Sequence, residues 1–143
     1  MLDYKKILFP VDLSGIGDTI VPHVKTISDK FGAEVRLMFV AKVNEYYVDG
    51  EEPGVSIKKK VNEYKNEHFK EILDAQVVVT DGDPGDEILR YIDAEDIDLV
   101  IMATRGRTAL DKAIFGSVAH KVAKVAPVPV FLINPFKDKF IHR

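Results

Sequence analysis

KILFPVD, residues 6–12, places five consecutive apolar residues between a lysine and an aspartate. The run does not alternate apolar with polar residues, and this pattern is typical of a strand that is buried on both faces, as in a parallel sheet. We therefore predict a central parallel strand at residues 7–11, with Pro10 near its carboxyl end.

The sequence that follows predicts a βαβ unit. Pro22 fits the first turn of a helix, and Gly32 is expected to end it. Residues 35–40 form a second apolar run, and two strands joined by a helix pair in parallel through a right-handed crossover. The helix itself is indicated by apolar residues at spacings of four, three and four, namely Ile20, Val24, Ile27 and Phe31.

The middle of the chain predicts a loop, a helix and a third strand. Residues 41–56 contain two glycines, a proline and several acids, a composition that indicates a flexible loop. Apolar residues at helical spacing predict an amphipathic helix over residues 57–73, and a short apolar run predicts a strand at residues 76–79.

The last third of the chain predicts two more helix and strand pairs. Asp83 is the expected N-cap of a helix that begins at Pro84. Strands four and five are predicted at residues 99–103 and 128–133, and two prolines at the entry of strand five place it at a sheet edge. The intervening helix is indicated by Val118, Val122 and Val125. The alternation predicts one open α/β sheet in a single domain, residues 1–143.

Composition narrows the classes of function. The 143 residues are 46% hydrophobic and 30% charged, which is enough for a core, and they include no cysteine, which excludes disulfides, cysteine-based zinc sites and thiol nucleophiles. The net charge of −3 argues against a nucleic-acid partner. Every apolar stretch is shorter than the roughly 18 residues that a membrane span needs. We expect a cytoplasmic protein with no membrane partner and no structural metal.

Ligands of open parallel sheets bind beyond the carboxyl ends of the strands, so the loops there hold the candidate site residues. Gly116 and Ser117 precede the last helix, where free N–H groups and the helix dipole would favour an anion, and Arg105 and Arg107 add positive charge. The alternative is a plain turn in which Ser117 caps the helix. Asp12, after strand one, would accept from ribose hydroxyls or base amines, or would be a structural acid that caps the next segment.

These residues carry a family resemblance. The segment KKILFPVDLS, residues 5–14, together with the pattern Gly106-x9-Gly116-Ser117, resembles the universal stress protein family over nearly the whole chain. Nucleotide-binding members share the signature Gly-x2-Gly-x9-Gly-Ser/Thr. In this chain Ala103 stands in place of the first glycine.

The resemblance implies a Rossmann-like, five-stranded parallel sheet with helices on both faces, which binds ATP, ADP or AMP at the strand ends. Asp12 and Val40 would hold the ribose and adenine, whereas Gly106 and residues 116–119 would hold the phosphates, bridged by Mg²⁺ or Mn²⁺. Ala103 is expected to weaken binding, either by crowding the phosphates or because the backbone there needs a positive φ. The matching positions are Pro10, Asp12, Val40, Met102, Ala103, Arg105, Gly106, Gly116, Ser117, Val118 and Ala119.

The expected function is a stress-response or regulatory switch with slow ATP hydrolysis at most, since no histidine lies in the strand-end loops and no paired carboxylates flank the phosphate loop. A nucleotide-independent dimeric interaction module of the same family is the alternative, favoured by Ala103. Gly116→Val is expected to separate the two by abolishing binding while leaving the fold intact. His120 is expected to be solvated or to cap its helix.

The predicted edge position of strand five indicates how two copies of the chain would pair. An edge strand leaves backbone groups unpaired, and antiparallel pairing with a second copy would cover them, which matches the homodimer that the family resemblance implies. The tail that carries Phe136 and Phe140 is expected either to pack across the partner chain or to be disordered. The pairing residues would be Val130, Phe131, Leu132 and Ile133.

Overall fold

The central strand that the sequence predicts is at the middle of the sheet. A computed structural model describes residues 1–105 and 116–140 of the chain. Its five strands form one parallel sheet in the order β3-β2-β1-β4-β5, which confirms the Rossmann-like α/β fold and the edge position of β5. The strands are β1 (Lys6–Pro10), β2 (Glu34–Ala41), β3 (Gln76–Asp81), β4 (Leu99–Ala103) and β5 (Val130–Ile133).

Helices cover both faces of this sheet. Because successive side chains of a strand point to opposite faces, Ile7 and Phe9 of β1 pack into one core and Leu8 packs into the other. The first core includes side chains of α1 and α3, and the second includes side chains of α4 and α5. The helices are α1 (Val21–Phe31), α2 (Val43–Tyr46), α3 (Val55–His68), α4 (Pro84–Ala94) and α5 (Ser117–Val125), with a 3₁₀ turn at Ile16–Thr19.

Two predicted helix boundaries are confirmed. Gly32 ends α1 with a φ of 62°, a left-handed conformation that glycine adopts without the penalty of a Cβ. Asp83 caps α4, since its Oδ2 accepts from the backbone N–H of Asp86 at 2.9 Å, and Pro84 is the first helical residue.

Two details of the prediction were wrong. The helix predicted over residues 57–73 runs from Val55 to His68, because the chain leaves the helix at Phe69 to bury that ring beside Phe9, with a centroid distance of 5.9 Å. Leu73 is therefore outside the helix and 95% exposed. The stretch predicted as a loop contains the short helix α2. Within the described residues, no helix has the length and apolar character needed to cross a bilayer.

Candidate functional site

A cavity of about 880 Å³ opens at the carboxyl ends of the strands. Small-molecule sites in proteins are typically about 300–1,000 Å³ in volume, so the cavity has room for a ligand of that class. Segments that follow β1, β2 and β4 line it, together with the first turns of α4 and α5. The topology therefore creates the cavity where parallel sheets place their ligands.

The structure brings together every predicted site residue that it describes. Gly106 and the neighbouring Arg107 lie outside the described residues. The described ones all line the cavity: Pro10, Asp12, Val40, Met102, Ala103, Arg105, Gly116, Ser117, Val118 and Ala119. That these residues contact a nucleotide remains a prediction.

Asp12 has the structural role that was one of its two predicted alternatives, and its role toward a ligand stays a prediction. Its Oδ1 accepts from the Ser14 backbone N–H at 3.0 Å and from the Ser14 hydroxyl at 2.7 Å, so the carboxylate is a structural cap of the loop. The same residue also lines the cavity. Leu13 between them has a φ of 63°, a conformation that costs a non-glycine residue roughly 1–2 kcal/mol. The loop thus holds this carboxylate in place at the cavity wall.

Gly116 is required for a steric reason. Its backbone N–H donates to the Thr104 carbonyl at 2.8 Å, and a Cβ added to it would stand 2.9 Å from the same oxygen and 3.2 Å from the Arg105 Cα. The φ of Gly116 is −66°, which any residue can adopt, so the backbone conformation at this position does not require glycine. This close backbone contact brings the first turn of α5 against the end of β4.

Ser117 does not cap α5. Gly116 occupies the N-cap position without a side-chain hydrogen bond, and Ser117 is the first helical residue, exposed at the cavity. The N–H groups of the first helical turn have no partners within their own helix. This end of the cavity therefore has the geometry and the dipole of an anion site.

Ala103 has an unstrained backbone. It is the last residue of β4, and among the described non-glycine residues only Leu13 and Asp96 have a positive φ. The proposed need for a left-handed conformation at this position is therefore wrong. The Ala103 side chain packs toward the core that includes α1 and α3, while the residue also lines the cavity.

Arg105 is a buried cation in the cavity wall. Its residue is 5% exposed, and its guanidinium carbon lies 4.5 Å from the centre of the Phe136 ring. Phe136 therefore packs within its own chain. The ring is thus ordered, so the expectation of disorder is wrong for Phe136, while packing across a partner chain stays a prediction.

Tyr64 is a cavity residue that sequence reasoning missed. It projects from α3, and its hydroxyl donates to Asp18 Oδ1 at 3.2 Å. His68, one helical turn further on, has its Nε2 3.8 Å from the same oxygen. Burial, together with the nearby Asp18 carboxylate, raises the pKa of the Tyr64 phenol, so the hydroxyl stays protonated as a donor at neutral pH. In the helix predicted over residues 57–73, Tyr64 is one of the apolar residues at helical spacing, and this interpretation left its hydroxyl out of account.

His120 is the second missed residue. It is exposed and lines the cavity from α5, three residues after Ser117. Residues at this spacing lie on neighbouring positions of one helix surface, so the spacing from Ser117 is a sequence signal that could have indicated His120. His120 was expected to be solvated or to cap its helix, and its exposure fits the first of these roles, whereas its position at the cavity was not predicted.

An ion-pair cluster joins α5 to α4 beside the cavity. Lys121 pairs with Asp86 and lies 3.5 Å from Asp83. The pKa of the Asp83 carboxyl is lowered mainly by the backbone N–H of Asp86 and also by Lys121. The two helix starts that border the cavity are thereby held together.

Comparison with known proteins agrees with this architecture. The family model described as the universal stress protein family matches residues 3–134. The universal stress protein MJ0531 of Methanocaldococcus jannaschii is 29% identical over an alignment of 152 residues that covers 95% of this chain and 85% of that protein.

Two solved structures show the same fold. A universal stress protein in complex with cAMP has a TM-score of 0.70 and 17% identity, with 94% of this chain and 99% of that chain covered. The universal stress protein of Archaeoglobus fulgidus in complex with dAMP has a TM-score of 0.63 and 19% identity, with 92% of this chain and 99% of that chain covered. The chain belongs to the universal stress protein family.

Proposed function

We propose that this chain is a cytoplasmic adenine-nucleotide-binding protein that acts as a stress-response or regulatory switch. The observation that carries the proposal is the single cavity that unites the segments after β1, β2 and β4 with the first turn of α5. Adenine nucleotides in two structures of the same fold, the cAMP and dAMP complexes, support the choice of ligand class.

The phosphates would lie at the α5 end of the cavity. Donors to them would be the N–H groups of the first helical turn, the Ser117 hydroxyl and the guanidinium of Arg105, a residue that lines the cavity and is buried. The chain as a whole carries a charge of −3, so the positive potential for a polyanion must come from these local groups. His120 borders the same end of the cavity.

The adenosine part would lie toward Asp12 and Val40. The Asp12 carboxylate accepts from ribose hydroxyls or from a base amine, while Val40 and Met38 present apolar surface to the base. A divalent ion, Mg²⁺ or Mn²⁺, would neutralise the phosphates. Within residues 1–105 and 116–140 no three potential metal ligands come together, so the phosphate oxygens would be the main ligands of that ion.

Isothermal titration calorimetry with ATP, ADP and AMP in the presence of Mg²⁺ tests the proposal. We expect saturable binding of all three nucleotides. The variant Asp12→Asn should weaken all three by a similar factor, roughly tenfold, because the ribose and base are common to them. The substituted amide keeps an oxygen that can accept from Ser14, so the loop is preserved.

Two results would count against this proposal, the first against nucleotide binding itself and the second against the position of the adenosine. The first is a wild-type protein that gives no heat with any nucleotide at millimolar concentration, which would favour a nucleotide-independent interaction module. The second is an Asp12→Asn variant that binds all three nucleotides as tightly as the wild type, which would show that the adenosine does not lie against Asp12.

We further propose that two copies pair through β5. Its outer edge has no neighbour in the sheet order, and Phe131 is 43% exposed. Antiparallel pairing of two β5 strands would satisfy the edge backbone and cover this ring.

Light scattering at micromolar concentration should give a dimer for the wild type and a monomer for Phe131→Lys. The matched control Leu73→Lys, at a residue that is 95% exposed, should remain dimeric. A monomeric wild type would contradict the pairing.

A further inference from the structure

The segment after β5, residues 134–140, forms a short strap that is fixed at several points. Asn134 Oδ1 accepts from the Phe136 backbone N–H, and Asp138 Oδ1 accepts from the Phe140 backbone N–H, each at 2.9 Å. Pro135 and Asp138 are buried. The strap is therefore a folded part of the molecule, with two side-chain turns and two buried anchors.

The strap contacts two separate parts of the molecule, one of which lines the cavity. At one end the ring of Phe136 lies against the guanidinium of Arg105, which lines the cavity. At the other end the Asp138 carboxylate pairs with Nε2 of His23 on α1, and the Phe140 ring stands 6.0 Å from the His23 ring. The strap thus joins the segment after β4 to the helix that follows the Asp12 loop.

The contact with Phe136 restricts Arg105. An arginine side chain has many rotamers, and a flat guanidinium stacked on an aromatic face keeps few of them. A cation that is held in place before the ligand arrives loses less conformational entropy on binding. The ring touches Arg105 and is itself absent from the cavity lining.

We propose that residues 134–140 are a positioning element for the phosphate end of the ligand. Phe136 holds Arg105 in the cavity wall, and the pairing of Asp138 with His23 anchors the strap that carries this ring. The proposal rests on the proposed nucleotide function, and it makes Phe136 a positioning residue that acts only through Arg105. The effect of a Phe136 substitution on affinity should therefore depend on the number of phosphates in the ligand.

Calorimetry with ATP and AMP on variants of the strap tests this dependence. Phe136→Leu keeps an apolar side chain and removes the aromatic face, and we expect roughly tenfold weaker binding of ATP with a much smaller loss for AMP. Phe136→Tyr keeps the aromatic face and should bind both as the wild type does. Lys137→Ala, at an exposed residue of the strap, is the matched control and should also bind as the wild type does. Asp138→Asn should weaken ATP binding in the same direction by loosening the anchor.

A double-variant cycle separates positioning from general stability. Arg105→Lys keeps the charge and loses the planar group, so Phe136→Leu should cause no further loss of ATP affinity in that background. Equal losses for ATP and AMP, additive losses in the cycle, or wild-type ATP affinity in Phe136→Leu would each overturn the role of the strap while leaving nucleotide binding established. A wild-type protein that binds neither nucleotide would overturn the proposed function and this inference with it.

Discussion

Replacing Gly116 with valine should remove measurable ATP binding and should also destabilise the fold. The added Cβ would stand 2.9 Å from the Thr104 carbonyl oxygen and 3.2 Å from the Arg105 Cα, and both are backbone atoms. Thr104 has little freedom to retreat, since its own N–H donates to the Ile133 carbonyl at 2.9 Å and ties β4 to β5. Overpacking of this kind typically costs about 1–3 kcal/mol, and valine adds two methyl groups beyond the Cβ.

The expectation that Gly116→Val would leave the fold intact is therefore wrong on steric grounds. Urea unfolding and ATP calorimetry on the same protein samples measure the two effects. Gly17→Ala is the stability control, because a Cβ at Gly17 has its nearest neighbours at 3.9 Å. A Gly116→Val protein with wild-type stability and wild-type ATP affinity would show that the junction between Thr104 and α5 is looser than the structure indicates.

Leu8→Ala should be the most destabilising of the simple truncations proposed for this chain. Leu8 lies in β1, the strand between β2 and β4, and is 0% exposed in the core that faces α4 and α5. Truncating a buried leucine removes apolar burial and leaves a cavity, with a typical cost of about 2–5 kcal/mol. The free energy of unfolding, measured by urea denaturation, should fall by that amount.

Leu73→Ala is the matched control for Leu8→Ala. It makes the same chemical change at a residue that is 95% exposed, so its effect should lie within about 0.5 kcal/mol of zero. Comparable losses at the two positions would contradict the central position of β1 and the end of α3 at His68.

Much of the fold followed from local patterns. The run at residues 7–11 predicted a strand buried on both faces, and β1 indeed has a strand on each side and a core on each face. Gly32 and Asp83 marked helix boundaries by local chemistry alone. The end of α3 was less predictable, because it depends on burial of Phe69 beside Phe9, a contact between residues far apart in sequence.

The candidate site was predictable where it depends on topology. The rule that ligands bind at the carboxyl ends of parallel strands led to Asp12, and the family resemblance added Val40 and Met102 at the ends of two further strands. All three line the cavity. Tyr64 and His120 reach the cavity from helices, so finding them requires the orientation of each helix on the sheet.

The reason for the glycine at position 116 was equally hidden from the sequence. Glycine there suggested close approach of a phosphate, whereas the structure gives it a second cause, the Thr104 carbonyl oxygen against which any Cβ would collide.

Titration of the ¹⁵N-labelled protein with Mg-ATP, followed by amide NMR, is the most direct test of adenine-nucleotide binding in this cavity. The amide signals of residues 116–119, in the first turn of α5, and of Asp12 should shift with saturation, since these groups line the cavity. The amide of Leu73, which lies outside the cavity lining, should stay unchanged. No shifts at millimolar ATP, or shifts that cluster away from the carboxyl ends of the strands, would contradict nucleotide binding at this site.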